Sequence, residues 1–145
     1  MISISQEYET PDNIFKPLDD EFNFMCDLAA SELNHKCSSY YTIEQDAFSR
    51  NWGGVNWINP PFNKVGKWVK KAHEDSNKFK STIVMLILVK SNTNWFRDFV
   101  MDSKEVRFIN QKVHFKNTPQ GLRFPACIVI FSPHEGKTKF SIINQ

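Results

Sequence analysis

Apolar and polar positions along the chain switch repeatedly between the period of a strand and that of a helix. Ser81 to Val89 is a nearly unbroken apolar and β-branched run, the pattern of a central strand buried on both faces. Val55 to Ile58 is a shorter run, stopped by Asn59-Pro60-Pro61-Phe62. Between them, Val65, Trp68, Val69 and Ala72 recur at i, i+3, i+4 and i+7, which predicts an amphipathic helix. Trp95, Phe96, Phe99 and Val100 predict another. Toward the N-terminus, Phe22 to Cys26 reads as a first strand ending at Asp27, and Ser39 to Ile43 as a second. The chain closes on strand-like segments at 105–109, 112–115, 126–131 and 139–143. Thr10-Pro11 reads as a helix start, since Thr can cap and Pro suits the first turn. Ile14, Phe15 and Leu18 continue that helix, and Pro17 should kink or shorten it.

Strands alternating with helices predict an α/β fold: a three-layer α/β/α sandwich around a mostly parallel sheet. The consecutive strands at the end predict antiparallel pairing at one edge. The 145 residues suit a single domain spanning 1–145, with no separate segment for target recognition. Ligands of such sheets bind beyond the carboxyl ends of the strands. Asp27 and Asn59 both stand at such ends, which puts two polar groups on one rim.

Composition changes this picture little. Apolar residues make up 41% of the chain, with 13 Phe and 4 Trp, enough to drive burial. The tryptophans read as core, with Trp52, beside a loop, the one kept as a base-stacking candidate. The net charge of +2 is too small to argue for nucleic acid, so that case rests on a local cluster, Lys64, Lys67, Lys70, Lys71, Lys78 and Lys80. Such a cluster is also what a solvated helix face looks like. No apolar run approaches the roughly 18 residues of a membrane span, and the first residues lack the pattern of an export signal. Cys26, Cys37 and Cys127 are far apart and odd in number, so they read as reduced thiols of a cytoplasmic protein, in a bacterial or phage-infected cell. His35 and Cys37 have no second ligand pair at zinc-like spacing, and no metal is expected.

The sharpest local signal is Asn59-Pro60-Pro61-Phe62, at the end of a strand and before a helix. Two prolines can simply end a strand. The chemistry offers a second reading. An exocyclic amine on an aromatic base is a poor nucleophile, because its lone pair is delocalised into the ring. Two acceptors at its two N–H groups draw it toward tetrahedral geometry, and the Asn59 side-chain oxygen and the Pro60 carbonyl can supply them. The prolines hold that geometry in advance. Phe62 can stack on a base swung out of a duplex.

With this motif, the chain resembles the small phage and prophage DNA N-6-adenine methyltransferases, of the class I Rossmann-like amino-methyltransferases. The resemblance runs from about Tyr8 to Phe131. It is carried by Tyr8-Glu9-Thr10-Pro11, Asp27-Leu28-Ala29-Ala30, Cys37 with Tyr40-Tyr41-Thr42, and Asp46 with Trp52. It continues through Trp57 to Phe62, Gly66-Lys67-Trp68-Val69, Trp95-Phe96, Arg107-Phe108-Ile109 and Phe115. It implies S-adenosylmethionine as methyl donor and double-stranded DNA, with a flipped adenine, as partner. It also implies roles for single residues. Asn59, Pro60, Pro61 and Phe62 would form the catalytic turn. Tyr8, Thr10 and Pro11 would lie against the methionine part of the cofactor, Asp27 and Ala29 near its amino group, and Glu44 or Asp46 at its ribose or adenine, with Asn59 also touching the cofactor. Lys64, Lys67, Lys71 and Lys112 would meet DNA.

The chain departs from the family pattern in three places. Ala29-Ala30-Ser31 stands where a glycine-rich loop is common, Phe62 where Tyr is common, and Asn110-Gln111-Lys112 where Gly-Arg is expected. Alternatives within the same chemistry are methylation of cytosine N4, of RNA or of a protein glutamine. An alternative of another class is a non-catalytic module that binds cofactor or DNA, or a regulator. The sequence is compatible with an oligomer but does not argue for one.

Overall fold

In the computed structural model, residues 9–116, 118 and 123–144 are described. Nine elements organise them: α1 (Asp12–Phe22), β1 (Cys26–Asp27), β2 (Val55–Ile58), α2 (Val65–Phe79), β3 (Thr82–Leu88), α3 (Asn94–Asp98), β4 (Glu105–Ile109), β5 (Ala126–Phe131) and β6 (Lys139–Ile143). The six strands form one sheet in the order β1-β2-β3-β5-β4-β6. β1, β2 and β3 pair in parallel, β5 pairs antiparallel to both β3 and β4, and β6 is parallel to β4. The sheet is thus mostly parallel, as expected. Its antiparallel pairing falls in the C-terminal half, but on the interior strand β5 rather than at the outer edge.

Period-two alternation sends successive side chains of the central strands to opposite faces. Ile83, Met85 and Ile87 of β3 join Cys127, Val129 and Phe131 of β5 on one face, where Val65, Trp68, Val69 and Ala72 of α2 cover them. Val84 and Leu86 join Ile128 and Ile130 on the other, under Ile14, Phe15 and Leu18 of α1. Those two helical stripes are the ones the sequence marked, and together they make the three-layer α/β/α sandwich.

Three expectations fail locally. Phe22 closes α1 instead of opening a strand: Asn23 turns the chain with φ of 54°, and the Phe24 N–H donates to Asp19. The segment at 39–43 is not a strand; its only ladder pairing is a bridge from Tyr40 to Asp27. The segment at 112–115 likewise keeps only the bridge Val113–Phe124. α1 continues past Pro17 to Phe22, and the exposed ring costs the helix a single N–H donor.

Candidate active site

β1 and β2 are parallel neighbours, with Asp27 paired to Trp57. Asp27 and the turn after Ile58 therefore emerge side by side on one rim. A cavity of about 930 Å³ opens there, bounded by Thr10, Asp27, Ala29, Asp46, Phe48 and Asn59, among others.

The loop after β1 is built on Asp27. Its carboxylate is 3% exposed and accepts the Ala29 N–H at 3.2 Å and the Lys36 N–H at 2.9 Å. Its backbone bonds to Ser39 and Tyr41. One side chain thus folds the whole loop over the cavity, the task a glycine-rich turn would otherwise share. Burial pushes the Asp27 carboxyl up to about 6, against the pull of those two N–H donors.

Of the two acidic candidates after Tyr41, Asp46 lines the cavity and Glu44 does not. Asp46 has φ of 45° and accepts the Phe48 N–H at 3.2 Å, so it sets the turn that brings Phe48 to the wall. Glu44 is exposed on the preceding turn. Ala29 lines the cavity as expected. Pro11 does not; it begins α1, its carbonyl accepting the N–H groups of Ile14 and Phe15. Tyr8 lies outside the described residues.

Thr10 lines the cavity, as the resemblance implies, but its partner there is one the sequence does not reveal. It makes no cap for α1, whose N-terminal position is Pro11. It is 1% exposed, and its hydroxyl accepts the Asn59 Nδ2–H at 3.0 Å across 49 residues of chain. The catalytic-turn candidate and the N-terminal segment are thereby joined. Pro60 is buried behind Asn59, and the Pro61 carbonyl accepts the Lys64 N–H at 3.1 Å, which closes the turn into α2. Phe62 leaves the first cavity. Its ring meets Phe115 and Phe124 nearly edge-on, at 5.4 and 5.9 Å.

Phe62 instead lines a second cavity of about 660 Å³, with Lys64, Leu88, Lys90 and Trp95. Asn63, Lys64 and Lys67 border both cavities. Gly66 permits this close layout: a Cβ there would stand 2.8 Å from the Trp95 ring.

The basic residues of the cluster stand in different surroundings. Lys71 is 3.0 Å from Asp75 and stands over the Trp52 ring, so it belongs to the frame, not to a free face. Trp52 is itself core: 1% exposed, stacked on Trp68, with its indole N–H donated to the Ala47 carbonyl at 2.8 Å. Its candidacy for base stacking ends there. Lys67 lies over the Phe48 ring at 4.2 Å, on the wall of the first cavity. Lys64 and Lys90 are exposed at the rim, and Lys112 is exposed just beyond the bend that follows β4. Lys36 escaped the sequence reading altogether: it borders the first cavity, with Glu9 at 3.7 Å and Asp12 at 4.0 Å. No group of His, Cys, Asp and Glu among the described residues could hold a metal ion, and Cys26, Cys37 and Cys127 are free thiols. No helix among the described residues is long and apolar enough to cross a membrane.

A mostly parallel six-stranded sheet with this rim defines a domain of the class I methyltransferase type. The chain matches the DNA N-6-adenine-methyltransferase (Dam) family over residues 3–145. It therefore belongs to that family, as an adenine-specific DNA methyltransferase, an activity that implies S-adenosylmethionine as methyl donor. It is 32% identical to the DNA N-6-adenine-methyltransferase of Haemophilus phage HP1 (strain HP1c1), over 94% of this chain and 86% of that protein. It is 30% identical to the DNA N-6-adenine-methyltransferase of Escherichia phage T1, over 70% of this chain and 44% of that one. No solved structure matches it.

Proposed function

We propose that this chain transfers the methyl group of S-adenosylmethionine to N6 of an adenine flipped out of double-stranded DNA, and that the cofactor lies in the first cavity. The observation that carries this reading is the adjacency of Asp27 and Asn59 on the rim of one cavity. The cavity is large enough for a nucleoside joined to an amino acid. When bound, the cofactor supplies an electrophilic methyl on sulfur. Everything else is the work of this chain.

Asp27 and its loop would meet the ammonium of the methionine part, and Lys36 its carboxylate. Phe48 would lie against the adenine ring of the cofactor, with Asp46 near the ribose. The Asn59 side-chain oxygen and the Pro60 carbonyl would accept the two N6–H bonds of the target adenine. That pulls the amine away from conjugation and aims its lone pair at the methyl. The amine becomes acidic once alkylated, so no histidine base is required. Phe62 would stack on the flipped base. Lys64, Lys67, Lys90 and Lys112 would face the DNA backbone, as contacts that position the duplex without reading it. This chemistry belongs in the cytoplasm of a bacterial or phage-infected cell, where DNA and the cofactor are both present.

The test is incubation of the purified chain with methyl-labelled S-adenosylmethionine and duplex DNA, followed by digestion to nucleosides. Label in N6-methyladenine is the expected result. Label only in N4-methylcytosine, or in RNA or protein supplied in parallel, would replace the substrate; no label in any of them would remove the catalytic reading.

A further inference from the structure

We infer that Thr10 is a positioning residue for methyl transfer: its hydroxyl fixes which end of the Asn59 amide faces the target amine. The inference rests on the role proposed above for the Asn59 oxygen.

An asparagine amide is nearly symmetric in shape but opposite in chemistry at its two ends. Turned one way, it presents an acceptor to an approaching amine. Turned the other way, it presents a donor, which repels the N6–H groups. A residue that must accept needs something to hold its nitrogen elsewhere. In this chain the Nδ2–H group is donated to Thr10 Oγ1 at 3.0 Å, which turns Oδ1 to the opposite side of the amide. The accepting partner, Thr10, is 1% exposed, and Asn59 is half-buried at the rim.

The backbone that carries Thr10 is itself held. On one side of Thr10, the Glu9 carbonyl accepts the Lys116 N–H at 3.1 Å. On the other, Pro11 starts α1, and Asp12 of its first turn pairs with the Lys116 ammonium at 3.0 Å. The residue before Lys116 is Phe115, which packs on Phe62 of the catalytic turn. Thr10–Asn59, Glu9–Lys116 and Phe115–Phe62 therefore close a ring of contacts around the turn. Local chemistry also frees Thr10 for this work, because Pro11, not Thr10, begins the helix.

Three variants in single-turnover assays with saturating cofactor test this. Thr10→Val keeps the shape and removes the acceptor; transfer should slow by about tenfold to a hundredfold, as when a residue orienting a reactive group is removed. The apparent KM for DNA and the affinity for S-adenosylhomocysteine should stay within about threefold, so that the effect sits in kcat. Thr10→Ser retains the hydroxyl and should recover most of the rate. In an Asn59→Ala background, Thr10→Val should have no further effect. Should Thr10→Val fail to fold, Thr10→Ala, smaller and equally without an acceptor, takes its place in the same comparisons. Wild-type rates in both Thr10→Val and Thr10→Ala would overturn the inference. So would a slower rate matched by an equal fall in cofactor affinity, which would make the hydroxyl a cofactor ligand. An active Asn59→Ala would instead overturn the mechanism beneath it.

Discussion

The Lys71 ammonium lies 3.0 Å from Asp75 Oδ2, the same oxygen that accepts the Trp52 backbone N–H at 3.1 Å. A helix cation that looks available for DNA in sequence is thus engaged in tying α2 to the loop before β2. Lys71→Gln removes the cation beside the buried Asp75 carboxylate and should lower stability by about 1–3 kcal/mol. It should leave the salt dependence of DNA binding unchanged. Lys64→Gln combined with Lys90→Gln should do the reverse, keeping stability and reducing the log–log salt slope by roughly 0.9 for each phosphate no longer neutralised. Thermal melts and DNA affinity against salt measure both. A slope altered by Lys71→Gln alone would return that residue to the DNA face.

Asp27 should give the chain a pH dependence of defined sign. Its carboxyl is raised by burial from 3.8 to about 6, so the folded chain holds this proton more tightly than the unfolded chain. The stabilisation is complete below about pH 4 and is lost as the pH rises to about 6, a change on the order of 3 kcal/mol. Asp27→Asn should flatten that part of the stability curve. Cofactor binding should run oppositely, since an ionised Asp27 suits the ammonium of the methionine part. Affinity for S-adenosylhomocysteine should rise about tenfold from pH 5 to pH 7 in the wild type, and not in Asp27→Asn. Equal slopes in calorimetry of the two proteins would contradict this.

Lys36 should be felt only by the amino-acid half of the cofactor. Lys36→Met should weaken S-adenosylhomocysteine by roughly 1.5–3 kcal/mol, the range of a hydrogen bond to a charged group. It should leave methylthioadenosine, which lacks the carboxylate, bound as in the wild type. Equal weakening of both ligands would mean that the substitution had only disturbed the loop over Asp27.

Phe62 should matter most once the base is out of the stack. Phe62→Ala should weaken a duplex whose target adenine is unpaired by roughly 1–3 kcal/mol. Because the ring also meets Phe115 and Phe124, the melting temperature should fall as well. Unchanged affinity beside a lowered melting temperature would make Phe62 a core residue alone.

Periodicity made the sheet and both covering helices legible. β2, β4, β5 and β6 carry the residues their apolar patterns marked, and α2 buries Val65, Trp68, Val69 and Ala72. Short apolar segments were less informative. Tyr40, Tyr41 and Ile43 resemble a strand, yet a capping box at Thr42 turns the chain into a single tight turn instead. Phe22 and Phe24 have strand-like spacing, but Asn23 between them is the end of a helix. The motif at Asn59 and the acid at Asp27 were readable because each ends a strand. The bond from Asn59 to Thr10 and the place of Lys36 were not. The partners lie far along the chain or in an irregular loop, and no local spacing encodes such pairings. Lys71 was half legible: Asp75 lies four residues on, one turn along the expected helix, whereas the Trp52 indole beneath the ammonium comes from a loop that no local spacing marks.

The central claim is that the Asn59 oxygen meets the target amine, and Asn59→Ala tests it most directly. Single-turnover transfer to N6-methyladenine should fall by a hundredfold or more, roughly the cost of removing one preorganised polar group from a transition state. Calorimetry should find S-adenosylhomocysteine bound within a few-fold of the wild type. Transfer within a few-fold of the wild type, with the cofactor bound normally, would contradict the account.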